Sequence, residues 1–110
     1  MDFFTMHSDI LFDIIVSGEV LEHIENPGKF LRKLTTMAND NALIYITTVI
    51  NAPAIDHISL FKNPDELRVL FDNNGLRIID MRCFLYRGKP LEVCIRKKWP
   101  VMVAITAQKV

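Results

Sequence analysis

Little in this chain of 110 residues is extreme, and each shortage excludes a class of protein. Cysteine is scarce: Cys83 and Cys94 stand alone, in no metal-like spacing. One disulfide is the most they allow, and two buried reduced thiols in a reducing cytosol are the expected state. No apolar run approaches the roughly 18 residues of a membrane span. The amino terminus carries Asp2 and Asp9 but no basic leader region. Excess charge is missing too, since thirteen Lys plus Arg balance thirteen Asp plus Glu. Bulk electrostatics therefore predicts neither a nucleic-acid nor a membrane partner. Repeats, low-complexity tracts and linkers are absent as well. What remains, 50% hydrophobic and 24% charged residues, is the composition of one soluble, cytoplasmic domain able to bury a core.

Phe12 to Ser17 (FDIIVS) and Ala42 to Ile50 (ALIYITTVI) are apolar runs without strict alternation. Such runs suit parallel strands covered on both faces. Between them Asn26-Pro27 opens a helix, with proline where its missing N–H costs nothing. Phe30, Leu31, Leu34, Met37 and Ala38 give it one apolar stripe, and Asn39-Asp40-Asn41 ends it with residues that tolerate left-handed geometry. The result is a βαβ unit. A second helix is marked by Asn63 as cap, Pro64 first, and Glu66 placed to reach back as in a capping box. Leu67, Leu70 and Phe71 face inward, and Gly75 stops it. Leu76 to Tyr86 and Pro100 to Ala107 read as strands. The polar stretch Arg87 to Trp99 between them shows no helical pattern, so the pair reads as an antiparallel hairpin with a long loop. The first strand, apolar enough for mid-sheet, would be an open edge in this chain, which native proteins avoid. Another subunit covers it, or the chain is part of a longer domain.

The run FDIIVSGEVLEHIENPGKFLRKL, followed by ALIYITT and then by AIDHISLFKNPDELRVLFDNNGLRIID, resembles class I S-adenosylmethionine-dependent methyltransferases from their fourth strand onward. The likeness covers nearly the whole chain. It implies a partial Rossmann-like, doubly wound, three-layer α/β sheet with an antiparallel last strand, residues 1–110 forming a single partial domain. The family's amino-terminal half, with the Gly-rich turn and the acidic residue that hold methionine and ribose, has no counterpart here. That argues against cofactor binding by this chain alone. Asn39-Asp40-Asn41 stands where relatives carry a Pro-Gly-Gly turn, a mild change because asparagine also tolerates positive φ.

Ligands of open α/β sheets sit beyond the carboxyl ends of the strands. Ser17, Gly18 and Glu19 occupy that place after the first strand, and in the family this segment lines the cofactor's methionine portion. Asp2 and Phe3 fall where relatives set an acid and its neighbour against adenine. Glu19, Glu22 and His23 are spaced i, i+3, i+4. On a helical turn they would project to one side and could hold a divalent cation such as Mg²⁺, as in the E-x-x-E-H signature of ubiquinone-pathway O-methyltransferases. Metal-free relatives share L-E-H as a loop-fixing element, and that is the bland account. His57 lies on the substrate side and is the candidate general base. Arg87, Lys89, Arg96, Lys97 and Lys98 cluster near Trp99, a solvated loop or, less simply, a base-stacking surface. The implied activity is methyl transfer from S-adenosylmethionine to a small-molecule nucleophile, an oxygen by preference. The implied partners are that substrate and a second copy or a complementing amino-terminal half. The rival reading is a non-catalytic remnant, and a nucleic-acid module comes last.

Overall fold

Two Asn-Pro pairs start the two main helices. The structure, a computed structural model, describes residues 10–52 and 60–110. In it Asn26 caps α1 (Pro27–Thr36) and Asn63 caps α2 (Pro64–Asp72). Each asparagine Oδ1 accepts from the N–H three residues on, Lys29 at 3.0 Å and Glu66 at 2.9 Å. One orphan amide of each first turn is thereby satisfied. Glu66 does reach back, but to the Lys62 N–H at 3.1 Å, one residue before the cap.

The strands are β1 (Phe12–Gly18), β2 (Ala38–Ile50), β3 (Leu76–Phe84) and β4 (Val101–Lys109). They form one sheet in the order β1-β2-β4-β3. β1 and β2 run parallel with α1 between them in sequence, so the expected βαβ unit is present. β4 is inserted between β2 and β3 and runs antiparallel to both. The antiparallel pairing of the last two strands follows the sequence reading.

Three expectations need correction. Asn39-Asp40-Asn41 does not end the helix: Met37 caps α1, its N–H reaching Leu34 O, and the chain enters β2 at Ala38. Asn39 Nδ2 instead ties β2 to β1, donating to Asp13 Oδ1 at 2.7 Å and Leu11 O at 3.3 Å. Here β2 bulges, since Phe12 pairs with Ala38 but Ile14 with Leu43. The left-handed residue this requires is Asn41, at φ 64°. Second, Arg87 to Trp99 is not all loop. It holds α3 (Leu91–Arg96), preceded by a 3-10 turn at Tyr86–Gly88. Third, among the described residues the strands are covered on one face, not two.

On that covered face Ile44, Ile46 and Ile50 of β2 and Val101, Val103 and Ile105 of β4 are fully buried. They share one core with Leu31 and Leu34 of α1, Leu67 and Phe71 of α2, and Cys94 of α3. The opposite face keeps Leu43, Tyr45 and Met102 about two-fifths exposed, and Ile14 and Val16 of β1 at 68%. Among the described residues β1 is also the last strand on its side of the sheet. The open apolar edge foreseen from the sequence is therefore there, joined to a bare apolar face. Both cysteines are free thiols, Cys94 buried and Cys83 only half-buried. No helix among the described residues is long and apolar enough to cross a membrane.

Candidate functional site at the strand ends

The parallel pair delivers its carboxyl ends to one rim. β1 stops at Gly18, which pairs with Thr47 of β2. Glu19 turns the chain out of the sheet in left-handed geometry, φ 54°. Its N–H is pinned by both the Thr47 carbonyl at 2.9 Å and the Thr47 hydroxyl at 3.2 Å. A non-glycine residue at positive φ is strained, and such strain gathers where a loop must take one shape. Just beneath, Ser17 is nine-tenths buried, and its Oγ has no hydrogen-bond partner among the described residues. A buried hydroxyl without a partner is costly. Gly18 is exposed, and a Cβ there would meet Thr47 Oγ1 at an ordinary 3.7 Å. The sheet itself does not demand glycine at that position.

Glu22 and His23 sit in a 3-10 turn at Leu21–His23. Glu22 is 2% exposed, and its Oε2 accepts from the buried Thr48 hydroxyl at 2.8 Å. The other oxygen lies 3.9 Å from His23 Nε2. This corrects the metal expectation for Glu19, Glu22 and His23. Glu19 precedes the turn in left-handed backbone while Glu22 is committed inward, so the three do not share a side. No group of three acidic, His or Cys side chains among the described residues could hold a metal ion. Glu22 locks the loop onto β2, which is the bland account of L-E-H. His57, Asp2 and Phe3 lie outside the described residues.

Farther along β2 the chain leaves the sheet at Asn51, again left-handed at φ 54°. Four residues beyond Thr47, this is about 13 Å from the Gly18 rim. Asn51 is 8% exposed, its N–H donates to Phe61 O at 2.8 Å, and its Nδ2 has no partner among the described residues. Asn51 lines an open cavity of about 390 Å³ together with Leu60, Lys62, Asn63, Ile95 and Lys98. Little in the sequence pointed to this cluster, because its members are scattered over 48 positions and meet only through the fold. The basic stretch is likewise resolved into separate roles. Arg87 lies 5.4 Å above the Tyr86 ring, Lys97 lies 5.1 Å above Trp99, and the two rings meet tilted by 46° with their centroids 5.1 Å apart. Trp99 is thus packed against its neighbours rather than held out for a base.

A methyltransferase-domain family model matches residues 4–81. In sequence the chain is similar to the mitochondrial ubiquinone biosynthesis O-methyltransferase of Dictyostelium discoideum. The two are 28% identical over 105 residues, covering 77% of this chain and 32% of that protein. In structure it is similar to the [4+2]-cyclase SpnF, with a TM-score of 0.74 at 14% identity, covering 99% of this chain and 54% of that one. An O-methyltransferase of a Brevibacillus brevis polyketide multienzyme, solved with S-adenosyl-L-homocysteine, gives a TM-score of 0.73 at 15% identity, covering 100% of this chain and 48% of that one. The N-methyltransferase NodS of Bradyrhizobium japonicum gives 0.67 at 12% identity, over 99% and 57%. The chain spans about a third of the curated relative and about half of these solved structures. At such identities the structures share a fold, and they are a cyclase, an O-methyltransferase and an N-methyltransferase.

Proposed function

The chain belongs to the methyltransferase-domain family, and from that premise we propose that it is the carboxyl-terminal half of an S-adenosylmethionine-dependent methyltransferase. Its described residues supply one wall of the cofactor site. The observation that carries this reading is the orphaned Ser17 hydroxyl, buried at the end of a parallel strand beside exposed Gly18 and strained Glu19. A polar ligand with hydrogen-bonding groups fits there, as the methionine portion of the cofactor would. Bound, that cofactor supplies an activated methyl group and its own leaving group.

The chain's residues position and enclose. Ser17 and the exposed backbone around Gly18 hold the cofactor, and the Thr47 pin on Glu19 keeps that rim from collapsing. The loop is braced from below by Glu22 on Thr48. An acceptor held at the same rim gains from alignment of nucleophile and carbon, the largest help a protein gives such a displacement. His57 is the proposed base wherever the nucleophile must first lose a proton, with oxygen the preferred nucleophile. The open β1 edge and the bare face around Ile14, Val16, Leu43 and Tyr45 are completed by further methyltransferase-fold structure. The chain's share of its relatives' length supports this. The rival is a non-catalytic subunit of the same fold.

Equilibrium dialysis of the chain against radiolabelled S-adenosylmethionine tests the proposal. Retention that is saturable and lost on Ser17→Leu is expected. No retention at millimolar cofactor would leave the non-catalytic reading in its place.

A further inference from the structure

Two residues of the Asn51 cavity have left-handed backbone. Asn51 is one. The other is Lys98, at φ 56°, just past the end of α3. There Lys98 N–H reaches Ile95 O at 3.1 Å and Trp99 N–H reaches Cys94 O at 2.9 Å. This paired bonding ends many helices, and the left-handed position is usually glycine. A lysine there costs stability, and its side chain lines the cavity.

The cavity is otherwise asymmetric in its chemistry. Leu60 and Ile95 give an apolar wall, while Lys62 and Lys98 bring two cations beside the side-chain amides of Asn51 and Asn63, the Asn63 oxygen being taken by the Glu66 N–H. Among the described residues, neither lysine side chain has a carboxylate partner. Of the two acids that follow Lys62, Asp65 lies 3.8 Å from Arg68 and Glu66 is turned back onto the Lys62 N–H. Asn51 lines the cavity, and its Nδ2 is buried with no partner among the described residues. Buried donors seek acceptors, and the described residues that line the cavity include two lysines and no carboxylate.

The geometry points to a subsite for an anionic oxygen group, carboxylate or phosphate, carried on an apolar body. The body lies against Leu60 and Ile95, and the anion accepts from Asn51 Nδ2 between Lys62 and Lys98. This rests on the reading of the strand-end rim as a methyltransferase site, and it names the class of acceptor molecule: an amphiphilic acid.

The test follows backbone amide NMR shifts of the full chain during titration with hexanoate, hexyl phosphate and, without charge, 1-hexanol. Saturable shifts at Asn51, Asn63 and Lys98 are expected for one or both anions, with hexanol at least tenfold weaker. Lys98→Gly carries the sharper signature. It should weaken anion binding five- to tenfold while raising the melting temperature by about 4 °C, because glycine relieves the left-handed strain. Lys62→Ala should weaken binding without that rise. Hexanol binding as tightly as the anions, or an unaltered anion affinity in Lys98→Gly, overturns the inference. A parallel titration with S-adenosylhomocysteine separates the two readings. Anion binding retained while Ser17 and Gly18 stay silent keeps this subsite and defeats the methyltransferase reading. The reverse result defeats the subsite alone.

Discussion

Removing the Thr48 hydroxyl should show that Glu22 is a structural brace. Glu22 is 2% exposed, Thr48 is fully buried, and the hydroxyl donates to the carboxylate at 2.8 Å. Thr48→Val keeps the shape and deletes the donor, leaving a buried carboxylate oxygen unmatched. Hydrogen bonds to charged groups contribute about 1.5–3 kcal/mol, and stranding a buried partner brings out that full penalty. The expected loss is about 2 kcal/mol. With a urea slope of about 2 kcal/mol/M for a domain of this size, the midpoint should fall by about 1 M. Glu22→Leu combined with Thr48→Val removes both partners. The double variant should therefore lose less than the sum of the singles, by about 1 kcal/mol or more. Urea denaturation followed by circular dichroism closes the cycle. Additivity to within about 0.5 kcal/mol would refute the coupling, as it does for independent sites.

Other consequences are quicker to check. Asn63→Ala removes the cap that accepts from Glu66 N–H at 2.9 Å and should lower stability by about 1 kcal/mol in thermal unfolding. Burial pushes the Cys83 thiol above its ordinary range, against a smaller opposing pull from Arg68. The folded chain therefore keeps that proton when the unfolded chain has released it. Stability should fall as pH climbs above the ordinary thiol value, and Cys83→Ser should flatten the slope in a pH series of melting curves. Ile14→Lys with Val16→Lys alters two residues that are 68% exposed. The pair should leave stability within about 1 kcal/mol and cut any self-association seen by analytical ultracentrifugation, since it charges the apolar edge.

What the sequence disclosed depended on how local its signals are. The Asn-Pro caps at Asn26 and Asn63 work through the next three residues, and both helices start where read. The apolar runs named the four strands of the described sheet. Asn39-Asp40-Asn41 misled because a left-handed asparagine serves a helix end or a strand bulge equally well. Only the partner strand, through Asp13 and Leu11, decides between them. α3 escaped notice because its stripe is just Leu91, Cys94 and Ile95, short and set among charges. Those three sit at i, i+3 and i+4 behind a proline, a signal that was there to be read. The rim at Ser17 to Glu19 could be placed from the end of an apolar run. The Asn51–Lys98 cavity could not, because its members meet only where the end of β2, the start of α2 and α3 come together.

The most direct test of the account is a map of where S-adenosylhomocysteine touches the isotope-labelled chain. Weak, saturable amide perturbations are expected at Ser17, Gly18, Glu19 and Thr47, with Val101 to Ile105 in the sheet's interior unmoved. Perturbations centred away from the β1 terminus, or none at all at millimolar ligand, would contradict it.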